Sequence, residues 1–478
     1  MEKQNKKNFL KTLIGTIIFG LSNSPSMAML GLSVYITSYI HTKQQFVTMH
    51  YGNFFGPINQ ISMTIVGPIA GILDEKIGFH TTLILGSFII FISLIGMYFQ
   101  NNIYLFYFFL ALKGIGSGIC LPLPGKNLIM YVPGKKGLIG STLMIPNILF
   151  ATFFGFLGEK IINKNGYTLN PKIGEQFYPE NICKNIQIYF MLCILIFPLG
   201  RIISFFLIKK YKNVNNNNIN KLENQKSKKS NDSSSIEISS SDIYVKKKIN
   251  PIKKALKSKR YWIIVLISFF SSFSLHFIMG TSRTYGALIG IKGTILQYLG
   301  IARSLSLIII SPIFGYLVDK MGSVKILLFI TLLSSLTSIS FSIFINNTNI
   351  FIVLNILECI VFAGFFSAMN PHMMNVFGIK NSVILGGING IFATISSIIV
   401  SFTSFYVSKS YIGEKIKIPY QIFFFDGGLL NFISFFLTFF DSDKEFNYNL
   451  DYQEITIKID HIQNKTIDNN TYVELDEK

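Results

Sequence analysis

Apolar residues recur along the chain in runs of roughly 20, the length that crosses about 30 Å of hydrocarbon as a helix. Twelve such runs stand at 12–38, 47–72, 79–99, 103–131, 137–158, 186–208, 261–282, 294–318, 324–345, 350–376, 383–407 and 420–440. They predict twelve transmembrane helices, the first and fourth long enough to tilt or to end irregularly. The stretch 209–260 differs in kind. It holds Asn215–Asn218, Ser233–Ser235 and Lys246–Lys248 without apolar periodicity, so most of it is expected to be disordered. Lys253 to Arg260 reads as a short surface helix before the seventh span, and Asp441 to Lys478 as a polar, acidic tail. The expected organisation is a six-helix bundle over 1–208, a basic cytosolic loop over 209–260, a second six-helix bundle over 261–440 and a cytosolic tail over 441–478.

Composition agrees with an all-α membrane protein. Half of the 478 residues are hydrophobic and only 14% are charged, with a mean hydropathy of +0.45. A water-soluble fold of this size cannot hide so much apolar surface, whereas lipid solvates it directly. The net charge of +19 suggests nucleic acid until it is located. Most of it flanks apolar spans, at the N-terminus and in the middle segment, which fits the positive-inside rule and no nucleic-acid partner. The basic N-terminus, Lys76, Lys135, Lys136, the middle loop, Lys320, Lys325 and Lys380 fall on one face, while the loops 100–102 and 346–349 carry no charge. Both termini are thereby assigned to the cytosol. Met1 to Lys11, short and basic, reads as the flank of a retained first span and not as a cleaved leader. Surface, vacuolar and plastid-type envelope membranes all fit. Cys120, Cys183, Cys193 and Cys359 have neither disulfide nor metal spacing, and no cofactor is expected.

The two halves repeat at an offset of about 244 residues, as parallel repeats about an axis along the membrane normal do. Gly71-Ile-Leu-Asp-Glu-Lys-Ile-Gly78 follows the second span, and Gly315-Tyr-Leu-Val-Asp-Lys-Met-Gly322 follows the eighth. With one residue of slippage the fourth and tenth spans align as well. This duplicated GxLxDxxG loop resembles the signature of the major facilitator superfamily. Its glycines permit close helix approach, and its acid and base suit ion pairs and helix caps at a cytosolic gate. Glu75 and Lys76 stand at the usual acidic and basic positions of the first copy, with Asp74 beside them as a substitute. Asp319 and Lys320 stand there in the second. Lys113-Gly-Ile-Gly-Ser-Gly-Ile-Cys-Leu-Pro122, followed by Gly134-Lys-Lys-Gly-Leu-Ile-Gly140, is similar to the monocarboxylate transporter and oxalate:formate antiporter branch. Met130-Tyr-Val-Pro133 stands where that branch has Trp-Phe-Pro. The resemblance implies the major facilitator fold, with the first, fourth, seventh and tenth helices lining a central cavity.

Ionisable groups inside spans are costly and therefore candidates for function. At 1.5 Å per residue, Lys113 lies roughly 15 Å into the fourth span, near the midplane, and Glu358 holds the pseudo-equivalent position in the tenth. Arg303 and His276 fall in the non-cytosolic half of the eighth and seventh spans. Arg303 and Lys113 suit a substrate carboxylate, Arg bidentately and Lys as a point charge. Glu358 or His276 suits a coupled proton. The alternatives are an ion pair between Lys113 and Glu358 that closes the outer gate, and a packing role for His276. Asn23 and Ser24, beside Pro25 in the first span, either line the cavity or repair the helix. Arg201, near the end of its span, is expected to snorkel to the headgroups. Gly114, Gly116 and Gly118 resemble part of a nucleotide loop but lie in an apolar helix, where close packing is expected.

No nucleotide-binding domain, metal cluster or nucleophile–base pairing points to an enzyme. The expected function is gradient-driven transport of a small organic anion, such as pyruvate or lactate, by proton symport or anion exchange. An amino acid or other small nutrient is a second cargo, and a non-transporting scaffold or receptor is a reading of another class.

Overall fold

Long apolar segments become helices here because lipid leaves no other partner for their backbone amides, and the short polar links between them fix where each helix begins. The computed structural model describes residues 2–167, 177–211, 251–288, 293–344, 347–410 and 417–446. The expectations for 212–250 and for the tail beyond 446 lie outside the described residues. In the N-terminal half, α1 runs over Glu2–Ala28 and on through a 3-10 turn, Met29–Leu32, to Ser33–His41. Then come α2 (Phe55–Lys76), α3 (Phe79–Tyr98) and α4, which is Ile103–Cys120 and Pro122–Tyr131. The half ends with α5, which is Lys136–Thr142 and Met144–Ile162, and α6 (Ile186–Leu207). In the C-terminal half the helices are α7 (Lys259–Leu288), α8 (Gly293–Met321), α9 (Ser323–Ile343), α10 (Thr348–Ile379), α11 (Asn381–Thr403) and α12 (Lys417–Phe439). Ten of the helical segments are long and apolar enough to cross a membrane, and α2 and α7 stand in the two remaining places of the twelve. The short helix expected before the seventh span is Pro251–Leu256.

The internal repeat is visible in backbone geometry. Gly78 caps α3 at φ 89° and ψ 160°, and Gly322 caps α9 at φ 92° and ψ 151°. This positive-φ, extended conformation is essentially confined to glycine and costs any other L-residue about 1–3 kcal/mol, which explains why each signature loop ends in glycine. Asn102 accepts the Tyr104 and Leu105 amides at the start of α4, and Asn347 accepts the Asn349 and Ile350 amides at the start of α10. Both are side-chain N-caps, one residue off the loop register, as the sequence slippage requires.

Helix α6 shows how the faces divide. Tyr189, Phe190, Cys193, Phe197, Gly200, Arg201 and Ser204 are buried, whereas Leu199 and Phe206 are 63% and 76% exposed. An apolar outer face of that extent suits lipid.

The segment after the last helix of each half is tied back to its own half. The Lys209 carbonyl accepts hydrogen bonds from Thr12 Oγ1 at 3.3 Å, Asn127 Nδ2 at 2.9 Å and Tyr131 Oη at 3.0 Å. Asp441 takes the equivalent place after α12. It accepts from Arg260 Nε at 3.0 Å and pairs with His372 Nε2 at 2.6 Å. Asp443 accepts the Ser323 amide at 3.1 Å, capping α9, bonds the Ser323 hydroxyl, and lies 3.6 Å from His372 Nδ1. The acidic tail therefore begins as a strap across the end of the C-terminal half. Burial works to raise the Asp443 carboxyl, but bonds from His372, Ser323 and the Val324 amide outweigh it and hold the group down to about 2.

A carboxyl depressed in the folded state contributes stability above its unfolded pKa, about 3.9. Asp443→Asn is therefore expected to lower Tm by a few degrees at pH 7 in the purified protein. That difference should shrink as pH falls from about 4 toward 2. Thermal unfolding across that range checks it.

Candidate functional site

Polar groups inside the bundle gather at two positions that the repeat relates. In the N-terminal half, Lys113 of α4 is 1% exposed and donates from Nζ to Asn59 Oδ1 of α2 at 3.3 Å. The offset of about 244 residues carries Asn59 onto Arg303 and Lys113 onto Glu358. There Arg303 of α8 donates to Asn355 Oδ1 of α10 and interacts electrostatically with Glu358 and Cys359. Glu358, fully buried, accepts from Thr337 Oγ1 of α9 at 2.8 Å through Oε2. Asn355 is itself held through Nδ2 on the Phe351 carbonyl at 2.8 Å. The same pair of positions is thus acid plus base in one half and neutral amide plus base in the other. The ion pair between Lys113 and Glu358 weighed above is not formed among the described residues, since each side chain is engaged within its own half.

His276 of α7 bonds the Ser272 carbonyl through Nδ1 at 2.7 Å and meets Gln60 Nε2 of α2 through Nε2 at 3.4 Å, a contact between the halves. In α1, Ser24 donates to the Gly20 carbonyl at 2.7 Å and Ser22 to the Phe19 carbonyl at 2.8 Å, both within their own helix. Tyr189 takes up the Pro25 carbonyl at 2.9 Å. Asn23 is buried with Oδ1 unbonded.

The halves meet at the end that bears the signature loops and along α2 and α11, as far as the Phe54–Phe402 ring contact. Asp319 accepts the Gly137 amide at 2.7 Å and the Leu138 amide at 2.8 Å, capping the start of α5 from the other half. Lys136 donates to Asn375 Oδ1 at 3.0 Å. Between α2 and α11, a Cβ added at Gly71 would meet Ile384 Cγ1 at 2.8 Å, and Thr394 bonds Thr64 at 3.0 Å. Gly315 packs on Gly137 and Ser141. In the first loop Asp74 forms ion pairs with Lys126 Nζ at 3.0 Å and Lys210 Nζ at 4.0 Å. Glu75, Lys76 and Lys320 are exposed.

Sequence reasoning passed over Lys126, Asn59, Asn355 and Thr337. Lys126 was open to the same test as Lys113, an ionisable group within an apolar run. The amides and the hydroxyl give no such signal, because nothing marks them until the helices are placed. Arg201 is a correction. It does not snorkel but lies 2% exposed inside the bundle, its guanidinium carbon 3.4 Å from the Phe19 ring centroid. It shares the inward face of α6 with Phe197 and Ser204, a periodicity already present in the sequence. Gly116 packs as expected, since a Cβ there would meet the Gly86 carbonyl oxygen at 2.7 Å.

The sequence matches the family model described as Major Facilitator Superfamily over residues 12–288 and again over 282–458. Among curated proteins, no sequence matches. Similar solved structures include the human organic anion transporter MFSD10 (TETRAN), with TM-score 0.63 and 10% identity, covering 91% of this chain and 99% of that one. The E. coli fucose:proton symporter FucP gives TM-score 0.63 at 14% identity, over 91% and 98%. The proton:xylose symporter XylE gives 0.60 at 12%, over 92% and 96%. At such identities the likeness is one of fold.

The cap from Asp319 generates a test of the contact between the halves. Spin labels at the exposed positions Lys135 and Lys325 should report one short separation, and Asp319→Ala should move population to longer distances. Pulsed dipolar spectroscopy reads this directly, and an unchanged distribution contradicts it.

Proposed function

Because the chain belongs to the major facilitator superfamily, and is a membrane transporter and not an enzyme, we propose that it moves a small organic anion, a monocarboxylate such as pyruvate or lactate, by alternating access. The observation that carries this reading is the buried Lys113 ammonium, whose hydrogen-bond partner is the neutral Asn59. A cation taken into the bilayer without a counter-charge is strongly disfavoured, and an anionic solute supplies that counter-charge when it binds. The repeat sharpens the point, since the equivalent positions in the other half, Arg303 and Glu358, interact electrostatically.

That second pair gives the coupling. Glu358 and a solute carboxylate compete for the Arg303 guanidinium, whose planar fork suits a bidentate carboxylate. A proton on Glu358 relaxes its hold and leaves Arg303 to the solute, so proton and anion move together. Asn355 positions the guanidinium. His276, against Gln60, lies where the two halves must part during the cycle. The Asp319 cap and the Gly71–Ile384 contact hold the signature-loop end shut in this conformation and must break when the halves rock.

Asn59→Asp would place a carboxylate on Lys113. It is expected to raise thermal stability while cutting anion uptake about 100-fold, the equivalent of about 3 kcal/mol of charge-assisted binding. Arg303→Ala is expected to abolish uptake at normal membrane abundance, and Glu358→Gln to remove its pH dependence. Labelled monocarboxylate uptake into reconstituted vesicles, run beside amino acids and sugars, measures all three. Undiminished uptake in Asn59→Asp or Arg303→Ala would defeat the assignment.

A further inference from the structure

Arg201 is a fully buried charge that the pathway above leaves unused. It is 2% exposed, and its Nε, Nη1 and Nη2 have no oxygen or nitrogen acceptor, only the weak thiol of Cys120 beside them. The Phe19 ring centroid lies 3.4 Å from the guanidinium carbon and that of Phe197 4.8 Å away. Cys120 of α4 is the polar group beside it. Both rings lie within cation–π range of the guanidinium, an attraction that satisfies none of its N–H donors. That attraction offsets only part of the cost of burying the charge, and a neutral side chain would fill the same space without that cost. What remains available is the planar fork of guanidinium donors, the shape that takes two oxygens of a carboxylate or nitrate.

Its place in the bundle is informative. Helices α4 and α6 run parallel, with Cys193 beside Lys113 and Cys120 beside Arg201. At 1.5 Å per residue the two cations therefore stand roughly 10 Å apart along the bundle, Arg201 nearer the signature-loop end. Pro25 in α1 and Pro198 in α6 interrupt the backbone ladders of the two helices that meet over Arg201, and such breaks are where helices bend.

We infer that Arg201 is a second anion-binding station in the N-terminal half, receiving a planar oxyanion between Lys113 and the signature-loop end when the α1–α6 seam opens. The inference rests on the anion reading for the identity of the solute, but the site itself does not depend on that reading.

The test uses the full chain, purified, with nitrate, acetate or pyruvate compared with a bulky sulfonate salt at equal ionic strength. The small anions should raise Tm. Arg201→Met should lose that shift, and Arg201→Lys, without the fork, should need roughly tenfold more anion. If Arg201→Met does not fold, a protein with Cys120 as its sole cysteine replaces it. There a sulfonate-bearing methanethiosulfonate should label Cys120 faster than an ammonium-bearing one, and acetate should slow it. Stabilisation by nitrate or acetate that depends on Arg201, with no anion uptake in any variant, supports the station and removes the transport reading. Loss of uptake in Arg303→Ala with full anion stabilisation in Arg201→Met overturns the station and leaves the transport reading standing. Equal labelling by both reagents, or labelling by neither, also overturns the station.

Discussion

A charge placed at the centre of a bilayer must be compensated by something, and in this protein the compensation differs between two halves of the same design. The repeat puts a base and its partner at matching depths. In the C-terminal half a carboxylate, Glu358, acts electrostatically on Arg303, which bonds Asn355; in the N-terminal half Lys113 bonds the amide of Asn59. One site is close to electrically balanced and the other is not. The proposed selectivity for anions, the coupling to protons and the rocking of the halves all follow from that imbalance.

The scaffold serves to keep the imbalance tolerable. Buried charges stay within the bundle because the helices turn their apolar faces outward, as α6 does with Leu199 and Phe206 outside and Arg201 inside. The halves touch at the signature-loop end through groups that are easily exchanged: two backbone amides on Asp319, a lysine on Asn375, and glycine-mediated packing. None of these is a buried ion pair between the halves. Their separation therefore exposes no charge that water cannot solvate, which suits a contact that must open and close. By contrast, the strap of Asp441 and Asp443 is anchored on buried His372 within a single half, so it can travel with that half as a rigid part.

Much of this was legible in the chain. Run length gave twelve helices, and the repeated Gly71–Gly78 and Gly315–Gly322 loops gave the two halves, because a positive-φ glycine at the head of α3 and α9 leaves a mark in sequence. Lys113 and Glu358 stood out because ions are rare in apolar runs. What lay hidden was which groups face each other. Asn59 is one amide among many until α2 is laid against α4. The hydrogen-bonding of Ser22 and Ser24 to their own helix is likewise invisible without coordinates. The distance of Arg201 from its helix end suggests snorkelling, whereas the helical face it shares with Phe197 and Ser204 turns it inward. In the first signature loop Asp74, beside the motif position of Glu75, pairs with Lys126, a contact that only the placed helices reveal.

The central claim is that an unbalanced cation inside the N-terminal half awaits an anionic solute. Charge movement in the unmodified protein tests it most directly. With the protein reconstituted on a solid-supported membrane, a concentration jump of pyruvate or lactate should evoke a transient current that saturates with concentration, and a neutral sugar should evoke none. A sugar-evoked current together with silence toward every carboxylate would contradict the account.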